Sequence, residues 1–420
     1  MGTRVLIVLA CLAVGACERV SLHYCEKNPM DYSHCPAPDG ALVQCTGNAD
    51  CPKNLPVCNV SLGLCVACLA DGDCKDPNHA HCDVDNSQCV ECTTGADCAS
   101  GTCLFGGVCQ TVDNTAYVDA TTGVDNADCS MASPCLKVAT GIAIGKPFVH
   151  LHGAFLEMGG ISIKDNVSIT LIGDDGTTYR RMDKGPVIAI GMGGTVGIQD
   201  LDISSALPAM CVGIQAKVGT FTFSQLTVHD CTAGPGGGIS IGGGQVAISR
   251  SKIYGNLYGI SVTAGHFDIT NNMIVHNGLM GANQAASGVI LGAGTTTDRF
   301  EFNTVSDNIV HMGGNQFGGL SCPAGFIAPD NIITGNVISG GVNTAATQTS
   351  PTCTVTGSLL GVDDSGLNFT NTTTSPYDYH ITANSSAIDG AQADANITID
   401  YDGLVRPVGG YDYGADEYGN

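Results

Sequence analysis

The chain has 420 residues, in which 39 acidic residues outweigh 16 lysines and arginines to give a net charge of −23. This negative charge argues against nucleic acid as a partner, because a phosphate backbone repels it. Glycine is abundant, with 57 residues, and tryptophan is absent. Small polar and β-branched residues outnumber helix formers, which favours short strands joined by turns.

The chain begins MGTRVLIVLACLAVGAC, in which one basic residue, Arg4, precedes an apolar run. The run is too short to span a bilayer and is typical of an export signal. Its end, VGAC, resembles a bacterial lipobox, in which small residues precede the cysteine that receives the lipid. The resemblance implies a signal peptide over residues 1–16 and lipidation at Cys17. The alternative is an ordinary export signal in which Cys17 enters a disulfide.

A lipidated Cys17 would hold the mature protein to a membrane, with residues 17–44 as a linker. The residue after it is Glu18, not the aspartate that retains lipoproteins in the inner membrane of enteric bacteria. The resemblance therefore favours an outer-membrane or cell-surface lipoprotein.

The chain contains 22 cysteines, of which Cys11 and Cys17 belong to the export signal and the lipidation site. The even number that remains predicts ten disulfides. Between residues 45 and 110 they form three blocks of four: Cys45, Cys51, Cys58 and Cys65; Cys68, Cys74, Cys82 and Cys89; Cys92, Cys98, Cys103 and Cys109. Each block has too few apolar residues for a core and must depend on cross-links. Spacing does not fix their connectivity; our hypothesis is first-to-third and second-to-fourth pairing.

The alternative for these blocks is zinc, because two CxxC pairs occur in them. Both pairs straddle block boundaries, and an exported chain meets an oxidising compartment, which favours disulfides. The spacing resembles the cysteine-rich repeats of myxobacterial surface proteins, which implies a spacer or interaction module without chemistry of its own. Cys25 and Cys35 are expected to close one more loop.

From residue 198 onward, segments with one apolar pattern recur every 21 to 31 residues: IQDLDIS, FSQLTVHD, ISRSKIYGN, ITNNMIVHN, FEFNTVSDN and APDNIITGN. Short strands that repeat at such a period indicate a solenoid. Between them lies another strand in each repeat: GIQA, GISI, GISV, GVIL and GGLSC. Three short strands per repeat predict an all-β, right-handed parallel β-helix over residues 117–384, with eight to nine coils.

Asparagine recurs in two registers of these repeats: Asn272, Asn303 and Asn331 in the first, and Asn256, Asn277, Asn308 and Asn336 in the second. A bend between strands needs a residue in the left-handed region, which asparagine tolerates. Because stacked coils place each bend above the last, the side-chain amides are expected to form structural ladders along the axis.

Both ends of this region resemble pectate-lyase-like β-helix proteins. YVDATTGVDNADCSMASPCLKVATGIA, residues 117–143, resembles their opening strand and capping helix, with Cys129 and Cys135 stapling the loop. Residues 385–420 resemble the closing segment of bacterial β-helix surface proteins. Two further disulfides are expected to link adjacent coils or their loops, Cys211–Cys231 and Cys322–Cys353. Because the fold hosts many functions, the resemblance is weak on activity.

The resemblance implies that catalytic residues would stand on the outer face of one strand line. Alternation places these residues outward in the GIQA line: Ala189, Gln215, Ser240, Ser261, Ile290 and Ser321. This column offers neither the acids that a calcium-dependent lyase needs nor the carboxyl pair of a glycosidase. Weak catalytic candidates remain in His229, Asp230 and His276, for which a polar turn is the favoured interpretation.

Acids near the end of the chain, Asp400, Asp402 and Asp412, are weak candidates for a structural calcium ion. The alternative is that Arg406 neutralises part of them. Apart from this ion, no cofactor is expected.

The sequence thus predicts a lipid-anchored surface protein that binds carbohydrate or another envelope polymer along a flat polar side of the β-helix. The alternative functions are a polysaccharide lyase or glycoside hydrolase that uses loop residues, and a purely structural envelope protein.

Overall fold

The computed structural model describes residues 45–60, 64–83, 87–104, 106–207, 211–232, 237–278, 287–292, 294–295, 297–310, 317–338, 345–361, 363–392, 394, 397–404, 406–407 and 409–419. They form two compact units, which divide between Ala67 and Cys68. The predicted signal peptide, Cys17 and the expected Cys25–Cys35 loop lie outside the described residues. No helix in the described ranges is long and apolar enough to cross a membrane.

Each cysteine-rich block consists of a 3-10 turn and an antiparallel hairpin. The turns are Asn48–Asp50, Asp71–Asp73 and Gly95–Asp97, and the hairpins pair Val57–Asn59 with Leu64–Val66, His81–Asp83 with Gln88–Val90, and Cys103–Leu104 with Val108–Cys109. In each turn an aspartate of the repeated sequence accepts backbone N–H groups that precede it; Asp97 accepts those of Thr93 and Thr94 at 2.9 Å. The shared acidic residue is therefore a turn-capping group.

All eighteen described cysteines are in disulfides. In every block the first cysteine is bonded to the third and the second to the fourth, as hypothesised: Cys45–Cys58, Cys51–Cys65, Cys68–Cys82, Cys74–Cys89, Cys92–Cys103 and Cys98–Cys109. The other three are Cys129–Cys135, Cys211–Cys231 and Cys322–Cys353. A zinc site in the blocks is thereby excluded, and nine disulfides indicate an exported protein.

The larger unit is dominated by a parallel β-helix with three strand lines, which we call A, B and C. Line A comprises Ile161–Ile163, Gly185–Ile190, the starts of Cys211–His229 and Ile239–Ser249, then Ile260–Val262, Val289–Leu291 and Leu320–Ser321. Line B comprises Thr115–Asp119, Phe148–His152, Ile169–Gly173, the start of Thr195–Ser205, the middle of Cys211–His229, the end of Ile239–Ser249, His266–Thr270 and Arg299–Glu301.

Line C comprises Ala154–Glu157, Thr178–Arg181, the ends of Thr195–Ser205 and Cys211–His229, then Lys252–Tyr254, Met273–Val275, Thr304–Ser306, Ile332–Thr334 and Leu359–Leu360. A shorter parallel pair joins Ile309–Val310 to Val337–Ile338. Because line A has seven strands, about seven complete coils form where the sequence predicts eight to nine.

The core runs through the centre of the coils. Side chains alternate along each strand, so one column per line points inward; on line B this column includes Val149, Leu171, Ile198 and Phe223, all at most 1% exposed. The helix Val138–Ala143 packs on the first coils through buried Val138, and a second helix spans Ala345–Gln348. A 3-10 turn, Val112–Asn114, precedes the first strand.

The second and third cysteine-rich blocks pack on the β-helix. The Tyr117 hydroxyl donates to the carbonyl of Ser100 at 2.9 Å, and Gln199 Nε2 donates to the carbonyl of Cys103 at 3.4 Å. These two blocks belong to the same compact unit as the coils. They therefore do not act as a free-standing spacer, one of the two roles that the resemblance implies.

The predicted asparagines form two buried ladders. At the turn from line B to line C, Asn272 Nδ2 donates to Asn303 Oδ1 at 3.0 Å, and Asn303 Nδ2 donates to Asn331 Oδ1 at 3.1 Å. At the turn after line C, the same bond links Asn256, Asn277, Asn308 and Asn336 at 2.9–3.2 Å. Each Oδ1 also accepts a backbone N–H of the preceding coil, such as that of Asn272 on Asn303 at 3.1 Å. The ladders thus satisfy backbone groups that the turns leave unpaired.

The expected reason for the asparagines is wrong in one respect. The positive φ at each turn belongs to the residue before the ladder, such as Asn271, Phe302 and Asp330 at the first turn. The chain has already turned at that residue, so the ladder residue itself points inward. Asparagine is required for its side-chain amide and not for a left-handed backbone.

The described residues between 361 and 419, here called the strap, lie along the outside of line C. The strap contains one antiparallel pair, Phe369–Asn371 with Asp378–Ile381. Tyr379 and Ala415 pack on Met273 and Val275, and Leu367 and Ile381 pack on Ile332. The closing segment predicted over residues 385–420 is therefore part of a longer element that covers a side of the β-helix.

Candidate functional site

The outer face of line A carries the column that the sequence predicts. Strand pairing aligns Ser162 with Ala189, Gln215, Ser240, Ser261, Ile290 and Ser321 in successive coils. Their neighbours on either side point inward; Ile188 and Ile214, for example, have no exposed surface. The column is free of carboxylates, so acid chemistry of the lyase or glycosidase type has no residue to use on it.

A second column lies two residues further along the same strands, and it is basic. Lys164 and Lys217 stand on it, with glycine in the coils between and beyond them. A Cβ at Gly191 would meet the Lys164 carbonyl carbon at 2.8 Å, and one at Gly242 would meet the Lys217 oxygen at 2.6 Å. The backbone is therefore closely packed at both glycines, which leaves no room for a side chain there. The two lysines lie two coils, or about 10 Å, apart.

The two columns border a shallow trough of about 580 Å³, lined among others by Ser162, Lys164, Gln215 and Lys217. Both lysine side chains are exposed. Neither ammonium group forms a hydrogen bond or ion pair with any described residue. The nearby Asp165 carboxylate already accepts the N–H of Met192 at 2.8 Å. The trough thus presents free cations beside hydroxyl and amide groups, in a protein of net charge −23.

Sequence reasoning missed these lysines because it considered only the central column. The signal was present: alternation turns the residue two positions after each central residue to the same side, which identifies Lys164 and Lys217.

The first pair of catalytic candidates, His229 and Asp230, forms a charged cluster on line C. His229 lies 3.1 Å from Asp202 and 3.0 Å from Asp230, and its ring stacks on Tyr254. Burial opposes the charge of the ring, yet its hydrogen bonds to Asp202 and Asp230 raise the pKa of His229 to about 9. At neutral pH the ring is protonated and cannot serve as a general base.

The third candidate, His276, lies beneath the strap. Its Nε2 donates to the carbonyl of Thr372 at 2.7 Å, and its ring stacks on Tyr377 with centroids 3.7 Å apart. Burial lowers the pKa of His276. The structure therefore does not bring His276 together with His229 and Asp230, and it gives His276 a role in holding the strap.

A cleft of about 890 Å³ lies between the second and third cysteine-rich blocks and the turn from line B to line C. Its lining includes Asp174, Asp200, Asp202 and Arg250. Asp174 bonds to His150 at 2.6 Å and to His152 at 2.7 Å. Although burial opposes ionisation, these histidines lower the pKa of Asp174, whereas burial raises the pKa of Asp200. Two carboxyl groups whose pKa values are shifted in opposite directions therefore share this cleft.

The calcium candidates do not converge. Within the described part of the chain, the carboxylates of Asp400, Asp402 and Asp412 do not form a common cluster. Asp400 accepts the N–H of Leu404 at 2.8 Å, and Asp412 accepts that of Tyr418 at 2.7 Å. Both carboxylates thus hold the backbone of the strap through hydrogen bonds. The Asp402 carboxylate lies 2.9 Å from Nε2 of His380.

Arg406 is the centre of these acids. Its side chain is fully buried, lies 3.0 Å from Glu417 and donates to the carbonyls of Gly414 and Asp416 at 3.0 and 2.7 Å. Its guanidinium covers the ring of Phe302 at 4.6 Å. Arg406 therefore pairs directly with Glu417, and its charge also interacts favourably with Asp400 and Asp412, which supports in part the alternative in which arginine neutralises the acids.

The crystal structure of the pectate lyase Pel9A is similar to this chain with a TM-score of 0.41 and 11% sequence identity, over 73% of this chain and 96% of that one. No protein-family model matches the chain, and no curated protein matches it.

Proposed function

We propose that the protein is a lipid-anchored surface protein that binds an extended carbohydrate or other envelope polymer along line A. The observation that carries the proposal is the trough, in which free Lys164 and Lys217 stand beside Ser162 and Gln215. A polymer whose groups repeat along its length can meet equal polar groups that recur with each coil. The lysines favour a polymer that bears carboxylate or phosphate groups.

The binding test compares two variants with the same change in charge. Lys164→Glu with Lys217→Glu reverses the charge of the trough, whereas Lys53→Glu with Lys137→Glu reverses two exposed lysines elsewhere. With polygalacturonate or alginate as probe, we expect the first variant to bind at least about tenfold more weakly and the control to bind like wild type. Equal binding of both variants, or no binding of wild type to any acidic or neutral polymer, contradicts the proposal.

Anchoring is tested separately, with Cys17→Ser in the full chain. If Cys17 carries the lipid, wild type fractionates with membranes and the variant is recovered in the soluble fraction. Equal distribution of the two would leave the export signal without a lipid anchor.

The acidic cleft favours cleavage of a polysaccharide as a second candidate function. Asp200, with its raised pKa, would act as general acid, and the ionised Asp174 as base or nucleophile. The test is release of reducing sugar ends, with absorbance of unsaturated uronates to detect a lyase. Asp200→Asn should abolish the activity, and exposed Asp175→Asn should retain it. No product from any polymer tested rejects this candidate.

A further inference from the structure

The strap contacts the β-helix through two pairs of carboxyl groups, and in each pair one partner belongs to a coil and one to the strap. Asp307 of the coil and Asp364 of the strap lie close together, since a Cβ added at Gly335 would meet Oδ1 of the first at 2.6 Å and Oδ1 of the second at 3.2 Å. Glu301 of the coil interacts in the same way with Asp394 of the strap. Such a pair is stable only while one of its members holds a proton, because two adjacent carboxylates repel.

We propose that the strap is a pH-dependent clasp, which is held against line C at mildly acidic pH and loosens as the pH rises through neutrality. What it would uncover includes buried apolar side chains. Met273 and Val275 point outward on line C yet have no exposed surface, and Ile332 is 1% exposed. Earlier coils, which the strap does not cover, carry Asp202 and Arg180 in the same outward columns. The covered part of line C thus lacks the charged residues of the earlier coils, and Met273, Val275 and Ile332 share its outward columns with Thr304, Ser306 and Thr334.

The first pair lies in a pocket of neutral groups. The Tyr379 hydroxyl donates to Asp307, the Ser306 hydroxyl donates to Asp364 at 3.2 Å, and His276 lies 3.8 Å from Asp307. Burial and the charge of Asp307 raise the pKa of Asp364 to about 7. Because burial lowers the pKa of His276, no cation is present at neutral pH to replace the lost proton.

One cation, Arg299, lies near the second pair, but it already forms an ion pair with Asp268. Arg299 lies 3.9 Å from Asp394 and 2.5 Å from Asp268. Asp330 adds a further negative charge to the same group of residues. Burial and the hydrogen bond with Asp394 raise the pKa of Glu301 to about 7.

The direction of the pH dependence follows from these values. When the strap is released, Asp364 of the strap and Glu301 of the coil return to their ordinary pKa values of 3.8 and 4.5. These values are well below the pKa values of the docked state. Docking therefore takes up protons, so its equilibrium constant falls as the pH rises from about 4.5 to about 7 and levels off above. Each pair contributes up to about tenfold per pH unit within this window.

Hydrogen exchange of the full chain, read at pH 5.5 and 8 and corrected for intrinsic rates, tests the clasp. Reporter amides are Ala415, which donates to the Thr304 hydroxyl at 3.1 Å, and Gly414, which donates to the carbonyl of Asp330 at 3.0 Å; both bonds join the strap to a coil. Both should lose at least about tenfold in protection at the higher pH, while the first coils keep theirs. An apolar dye should bind at pH 8 only. Equal protection of the strap at both values of pH overturns the proposal.

Variants separate the carboxyl pairs from a general effect of pH. Asp364→Asn with Glu301→Gln keeps hydrogen-bonding groups without the charge, so the strap should remain protected at pH 8. Asp363→Asn is the control, because Asp363 is exposed and adjacent in sequence; it should behave like wild type. The same pH dependence in the double variant as in wild type assigns the effect to other groups and also overturns the proposal.

Discussion

The early and late coils of the β-helix solve the same problem with different residues. At the turn from line B to line C, successive coils place Leu201, Leu226, Ser251, Asn272 and Asn303 at one inward position. The early coils fill the corner with apolar groups, and the late coils fill it with an amide ladder. On the outside, early coils present charged residues and the acidic cleft, whereas the strap covers the late ones.

The difference shows that a buried amide is stable here only as part of a continuous series. Each ladder ends on a polar group and not on an apolar one: Asn331 N–H donates to Ser358 at 3.0 Å, and Asn336 Nδ2 donates to Gln348 at 2.9 Å. At the other end Ser251 accepts the N–H of Leu226 at 3.1 Å and so joins the ladder to the apolar corner. A single asparagine among leucines would have no such partners.

The largest effect is expected from the charge that holds the strap on the late coils. Arg406→Met removes a buried cation and leaves Glu417 and its acidic neighbours without compensation, which costs about 3–5 kcal/mol. The control is Arg180→Met on the uncovered part of line C, where the side chain is exposed. Thermal unfolding and exchange of the strap amides measure both variants. If Arg406→Met is no more harmful than the control, the strap does not depend on its buried charge.

Reciprocal substitutions at the corner test whether the two chemistries can be exchanged. Asn303→Leu deprives the N–H of Asn272 of its acceptor and the Nδ2 of Asn272 of one of its three acceptors, and Leu201→Asn buries an amide beside Leu226 without a ladder. Each should lower the free energy of unfolding by about 2–4 kcal/mol. Leu207→Asn is the control, since that leucine is 46% exposed. Denaturant unfolding in which either substitution is neutral would show that continuity of the ladder is unimportant.

The sequence predicts the repeated parts of the molecule well, because a residue pattern that recurs in several copies can be recognised from the sequence. The registers of asparagine, the outward column of line A and the division of the cysteines into three blocks follow from spacing that recurs several times, whereas the pairing within each block is a hypothesis that the disulfides confirm. Even so, the left-handed residue at the turn is misplaced by one position. Residues as different as Phe302 and Asp330 occupy it, so composition gives no signal there.

The unique parts could not be predicted in the same way. Nothing in the pattern around His276 indicates that Tyr377 and Thr372, about a hundred residues later, cover it. The acidic cleft likewise depends on two cysteine-rich blocks folding onto the coils. Such contacts join segments far apart in sequence, each used once, and no local periodicity records them.

A smaller effect is expected from His229 on the uncovered part of line C. The pH dependence of its contribution to stability is opposite in direction to that of a carboxyl group whose pKa is lowered by folding. Its folded pKa of about 9 lies above its ordinary value of 6.5. Its contribution is therefore fully present below pH 6.5 and is lost as the pH rises through 9, and amounts to about 3 kcal/mol. Stability of His229→Gln should be lower than that of wild type at pH 6 and equal to it near pH 10. The exposed ion pair of His152 with Asp174 provides the control, through His152→Gln. A pH-independent difference would mean that the ring acts by packing alone.

The smallest effect is expected at the cap of the early coils, where the charged side chains are exposed to solvent. Lys137 Nζ is 3.5 Å from Asp125, and the two side chains are 62% and 34% exposed. Lys137→Ala should cost less than about 1 kcal/mol, because solvent and salt screen such a pair. Asp125→Ala should cost more, about 1 kcal/mol, since Asp125 also accepts the N–H groups of Leu136 and Lys137 before the helix. Thermal unfolding at low and high salt separates the two terms: only the ion pair weakens with salt. If Lys137→Ala were as harmful as Arg406→Met, exposure would not be what distinguishes the charges of the early coils from those under the strap.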